Sequence, residues 1–75
     1  MQPADKLVRM VNQIARNLAV RGEDHAVVAA ADHIRKFWDP RMRATICAHL
    51  AKHDDDFLPI ARRAVAIVAG DPADA

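Results

Sequence analysis

The 75-residue sequence holds few groups able to do chemistry, and their spacing limits what that chemistry could be. Its one thiol is Cys47. A single cysteine can form neither an internal disulfide nor a four-thiolate zinc or iron–sulfur site. Cys47 stands beside an apolar line at helical spacing (Met42, Ile46 and Leu50), so it reads as a small buried hydrophobe rather than a nucleophile. His49, two residues on, points to another side of a helix. His49 and His53 stand four apart, a spacing that could chelate a divalent ion with oxygens from Asp54, Asp55 or Asp56. The glutamate of a His-Glu-x-x-His site is missing, however. Both rings also lie at the edge of the apolar line, where amphipathic side chains are common. His25 and His33 are isolated. With no Gly-rich phosphate loop and no nucleophile elbow, the sequence assigns no catalytic, metal or cofactor-binding residue.

The segment Arg35-Lys36-Phe37-Trp38-Asp39-Pro40-Arg41-Met42-Arg43 is more informative. Trp38 could pack at a corner between two helices. Asp32 could pair with Lys36, and Asp39 with Arg43, at i, i+4. Four cations in nine residues exceed what two carboxylates can neutralise. Aromatics flanked by arginines have the composition of a protein–protein hot spot. The same forks could hold phosphates beside a helix start. Core, protein interface and anion site all stay open on these residues alone.

The elements that position this segment are helical. Leu7, Val11, Ile14 and Leu18 form an apolar seam at spacings of 4, 3 and 4, predicting a helix over about 5–20. Asp5 is placed to cap it and Gly22 to end it. Asn12 lies beside the seam and needs a partner or water. A second helix, 24–37, is capped by Asp24 and carries Val27, Ala31, Ile34 and Trp38. Asp39-Pro40 is the clearest boundary: proline turns the preceding residue away from the α conformation and is favoured at the first helical position. A third helix runs 40–52. The acidic run makes a connector, and a fourth helix runs 57–69 with Phe57, Ala61, Ala64 and Val68 on its stripe and Leu58 and Val65 alongside. Pro59 is tolerated in its first turn, and Gly70 ends it. The expected architecture is all-α, a compact bundle of four short helices in a single domain over 1–75, with 71–75 as a flexible tail.

Composition sets further limits. Sixteen residues are alanine, which favours helix but buries little surface. A core this thin predicts completion by a partner, either a second copy of the isolated chain or another protein. The net charge of +1 gives no global reason to expect nucleic acid or an anionic membrane. No run approaches the ~20 apolar residues of a membrane span. The absence of an apolar h-region near the start and the single free thiol predict a cytoplasmic protein.

Two blocks carry a family resemblance. Lys6-Leu7-Val8-Arg9-Met10 with Asn12-Gln13-Ile14-Ala15, followed by His33-Ile34-Arg35-Lys36-Phe37-Trp38-Asp39-Pro40-Arg41-Met42-Arg43, resembles the small delta subunit of NAD-dependent formate dehydrogenases. The likeness covers roughly residues 6–52; the second block is specific, and the first is a more generic amphipathic helix. The chain departs from the pattern at Asn17 and Leu18, where family members carry aromatics. The resemblance implies a non-catalytic accessory subunit of a cytoplasmic complex that oxidises formate and reduces NAD. The molybdenum bis-pterin guanine dinucleotide, the iron–sulfur clusters and FMN of such a complex belong to its large and other subunits, and none is expected in this chain. The partners implied are the large subunits, the alpha subunit first. Phe37, Trp38, Arg41 and Arg43 are then the expected partner contacts. Arg35 and Lys36 add rim or steering charges, and Asp39 and Pro40 fix the corner. The alternative is a transient assembly factor for insertion of the molybdenum cofactor. A helical nucleic-acid-binding domain is a weaker one, opposed by the near-zero charge.

Overall fold

A computed structural model describes residues 3–71. Four α-helices follow one another: α1 (Pro3–Leu18), α2 (Glu23–Phe37), α3 (Pro40–Lys52) and α4 (Pro59–Ala69). Single 3-10 turns at Ala19–Arg21 and Asp54–Asp56 join α1 to α2 and α3 to α4. The Cα radius of gyration is 11.2 Å, against about 11 Å for a compact chain of this length. The all-α four-helix reading therefore holds. No helix among the described residues is long and apolar enough to cross a membrane.

Helix limits differ from expectation where prolines and a glycine set the backbone. α1 begins at Pro3, because proline costs nothing in a first turn whose amides lack partners. Asp5 therefore lies inside that turn, near the positive helix end, rather than capping it. Gly22 adopts φ 98°, a conformation open to glycine. Its N–H donates to the Ala19 carbonyl and its own carbonyl accepts from Ala26 N. Gly22, not Asp24, is thus the N-cap of α2, and Asp24 sits in the first turn beside Glu23. α4 starts at Pro59 rather than residue 57. Proline holds Leu58 extended, and Phe57, also extended, drops its ring into the core.

The third helix matches its expected limits. Trp38 ends α2 in an extended conformation. The Asp39 carboxylate then accepts the Met42 amide at 2.8 Å as a side-chain N-cap, with Pro40 opening α3.

The core takes only part of the expected seams: Leu7, Val11, Ala31, Ile34 and Ile46 are buried, whereas Ile14, Leu18, Met42 and Leu50 are partly buried and pack against its edge. Ile34, Ile46, Val11 and Val65 are the largest fully enclosed side chains. Ala15, Ala30, Ala31, Ala61 and Ala64 line the helix contacts between them. α4 packs mainly on α2 and α3, and α1 lies against all three other helices. Asn12 finds partners for both ends of its amide. Its Nδ2 donates to the Asp56 carbonyl at 3.1 Å, and its Oδ1 accepts the Leu58 N–H at 2.9 Å. One side chain of α1 therefore ties down the α3–α4 connector. Truncating it leaves the part-buried Leu58 amide unpaired. Asn12→Ala should lower unfolding stability by about 1–3 kcal/mol in denaturant titration, with native helical content retained.

Candidate interaction surface

The corner between α2 and α3 separates its residues by function. Trp38 points inward, 4% exposed, within the main core cluster. Phe37 points outward at 71% exposure. The cause is helical rotation. Residue 38 continues the line of Ile34 and Ala31, whereas residue 37 falls on the line of His33, one turn back. The Phe37 and His33 rings meet at a centroid distance of 4.8 Å. His33 is therefore not isolated, and its i, i+4 relation to Phe37 was the signal in the sequence.

The four cations separate in the same way. Arg35 forms a two-pronged pair with Asp71, Nε to Oδ2 at 2.7 Å and Nη2 to Oδ1 at 3.0 Å. Its Nη1 also reaches Asp32 at 3.0 Å. Arg43, half-buried, donates to the Arg35 main-chain carbonyl at 3.2 Å and so covers the last turn of α2. These two arginines hold the fold. Lys36 and Arg41 are exposed and form no ion pair among the described residues. The expected Asp32–Lys36 and Asp39–Arg43 pairings are replaced. Asp32 takes Arg35, and the Asp39 carboxylate is used as the α3 cap. Of the eight corner residues, Trp38, Asp39, Pro40, Arg35 and Arg43 have structural contacts or backbone roles, while Phe37, Lys36 and Arg41 face solvent.

Asp71, expected in the loose tail, is held by Arg35; residues 72–75 lie outside the described residues. The Arg35 hydrogen bonds pull the Asp71 carboxyl below its ordinary value. The same pairing raises the Arg35 guanidinium. Cys47 lies close enough to feel this carboxylate. Burial pushes its thiol up, Asp71 adds to that, and Arg43 opposes it. A thiolate is disfavoured there, as suits a packing role.

The histidine pair is also drawn into the fold. His49 Nε2 lies 2.9 Å from Asp56 Oδ2, and its ring packs 5.8 Å from that of Phe57. The His49 and His53 rings are 5.0 Å apart. Among the described residues, no group of three or more His, Cys, Asp or Glu side chains is placed to hold a metal ion.

One surface was not anticipated from the sequence. Lys6, Arg9, Met10, Gln13 and Ile14 of α1, with His33 of α2, line an open groove of about 680 Å³. Along α1, Lys6, Met10 and Gln13 repeat the 3–4 rhythm of the apolar seam one position aside, and the lining takes in Ile14, the partly buried member of the seam itself. That rhythm was masked by the stronger pattern next to it.

A small helical bundle with an exposed aromatic and unpaired cations at one corner is suited to binding another protein. The family described as NADH-dependent formate dehydrogenase delta subunit FdsD matches residues 6–65. The chain belongs to this family of formate dehydrogenase delta subunits. The match extends the resemblance of the two sequence blocks into α4, as far as Val65. No curated protein and no solved structure matches it.

The two aromatics should respond oppositely to truncation. Trp38→Ala should cost about 3–5 kcal/mol, whereas Phe37→Ala should stay within about 0.5 kcal/mol of the parent, both read from denaturant midpoints. The Asp71 carboxyl, being lowered in the folded state, contributes stability that is present at neutral pH and fades as pH falls through its lowered value. Thermal melts across the acid range should therefore show the parent losing its advantage over Asp71→Asn below about pH 4.

Proposed function

We propose that this chain is a non-catalytic accessory subunit that docks onto the large subunits of its formate dehydrogenase, the alpha subunit first, and supports assembly or stability of the complex in the cytoplasm. In this reading it carries none of the complex's redox groups. The formate-oxidising chemistry and NAD reduction belong to the partners, and the chain contributes surface. The observation that carries the proposal is Phe37, 71% exposed at the end of α2 between Lys36 and Arg41, which pair with no carboxylate among the described residues. Exposure of a large aromatic costs a free monomer the burial it could have had, of order 2 kcal/mol. A partner pocket recovers it, and aromatic–arginine clusters dominate binding energies at interfaces.

Family membership supports the same reading, since a delta subunit has companion subunits by definition. The rotation that turns Phe37 outward also keeps Trp38 packed in the core at the same corner. An interface built on a buried tryptophan and a capped helix start needs little reordering on binding.

The test is capture of the tagged full-length chain from its native cells, followed by gel filtration. Recovery of the formate dehydrogenase subunits in fixed stoichiometry, lost on Phe37→Ser with Arg41→Glu, is the expected result. Recovery of the enzyme only in its cofactor-free form would replace the permanent-subunit reading with the transient assembly factor. Recovery of no formate dehydrogenase subunit would overturn both.

A further inference from the structure

The groove between α1 and α2 has features of a binding surface that the corner alone does not explain. Its floor is carbon: Met10, 36% exposed, Ile14, and the stems of Lys6 and Arg9. Its charged lining atoms belong to Lys6 and Arg9, and no carboxylate lines it. From Lys6 to Ile14 it follows about two turns of α1, roughly 12 Å. His33 closes one side, and the Phe37 ring packs against His33 at 4.8 Å, so the exposed corner aromatic stands next to the groove.

We infer that this groove receives a helical segment of the partner enzyme, a segment with apolar anchors on one face and carboxylates flanking them. The inference rests on the subunit reading above and assigns its docking surface. Three observations determine the occupant. The lining is too apolar for a small anion, whose charge would lose water against Met10 and Ile14. A lining that runs along two turns of α1 suits another helix laid beside it, with anchors at i, i+3, i+4 and i+7. A second copy of this chain is disfavoured, because a two-fold contact brings the same patch against itself. Two linings that carry lysine and no lining carboxylate would then be brought to one seam. Carboxylates on the incoming helix instead complement Lys6 and Lys36, which lies on the same side of α2 as His33. Met10 supplies a surface that conforms to whatever anchor arrives. Phe37 adds a rigid contact at the far end.

The experiment uses the tagged full-length chain and the purified formate dehydrogenase subunits of the same cells, prepared without this chain. A photo-crosslinking residue is placed at Met10 in one preparation and at Ile67 on α4 in another. Affinity is measured in parallel for Met10→Glu and Lys6→Glu, with helical content checked by circular dichroism. The expected result is a crosslink from position 10 to one helical peptide bearing at least two carboxylates, and none to that peptide from position 67. Both substitutions should weaken binding about tenfold or more, because each sets a new carboxylate against those of the partner. The parent's affinity should fall as salt rises. Lys6→Glu lies wholly on the surface, so it keeps the test valid if Met10→Glu fails to fold. Parent-like binding by a folded Lys6→Glu would overturn the groove assignment while leaving the subunit reading intact. A crosslinked peptide lacking carboxylates, or a covalent dimer of the chain, would do the same. Failure of the parent itself to bind would remove the subunit reading and this inference together.

Discussion

Alanine is the constraint on which the rest of this structure depends. Ala15, Ala30, Ala31, Ala61 and Ala64 sit fully or almost fully buried where helices meet. Side chains this small let backbones approach closely, but each removes little apolar surface from water. The helices therefore form easily and are held weakly by burial alone. Four enclosed branched side chains, Val11, Ile34, Ile46 and Val65, with Trp38 and Phe57 at the edges, must supply most of the hydrophobic contribution. Register between helices then depends on polar ties at the element ends. Asn12 ties α1 to the α3–α4 connector, and Asp39 starts α3. Arg35 joins α2 to the residue just after α4, and Arg63 joins α4 to Glu23 and Asp24 at the other end of α2. Exposed pairs of this kind contribute modestly one by one. Their value lies in fixing which way short helices meet, where an alanine face would allow sliding.

That arrangement explains the division at the corner. A thin core needs its one tryptophan, and Trp38 is buried in it. The helix boundary at Asp39-Pro40 has a geometric consequence. α2 stops with residue 38 on its inward line, and the side chain one position earlier is left in solvent. Arg35 and Arg43 are drawn into closing the ends of α2 and α4. What remains outward is a small set, Phe37, Lys36 and Arg41. The composition that looked like a single hot spot is a structural hub with one aromatic and two cations exposed on its outside.

The legible parts of the sequence were those with a strong local cause. Apolar spacing at 3–4 intervals identified Val11, Ile34, Ile46, Ala61 and Val68 as inward before any fold was known. Asp39-Pro40 fixed α3 to the residue, because cap and proline act on the backbone within one turn. The misplaced boundaries also had local causes. Pro59 forces an extended Leu58, and Gly22 takes a backbone conformation that lets it cap α2 in place of Asp24. Partners distant in sequence were not legible. Nothing in the residues around Asn12 points to Leu58, 46 positions on, and nothing around Arg35 points to Asp71, 36 positions on. Pairing rules at i, i+4 assigned Asp32 and Asp39 to the wrong cations because such rules ignore competition from a neighbour at i, i+3 or from a free backbone amide. The α1–α2 groove was hidden for a related reason. Its lining belongs to two segments, and only packing brings Met10 beside His33.

The same physics connects thinness to function. A 75-residue chain with an alanine core gains little further stability by folding inward. Its remaining large apolar groups, Phe37 and Met10 among them, are left where a partner can cover them. Lys36 and Arg41 beside Phe37 form no ion pair among the described residues, and like charge at such a patch opposes its pairing with itself. The free chain is held together by polar ties at helix ends, and its uncovered apolar surface adds nothing to the stability of that fold. The residues that keep the chain folded and those that would bind are therefore neighbours in sequence yet separate in role, Trp38 with Arg35 and Arg43 on one side, Phe37 with Lys36 and Arg41 on the other.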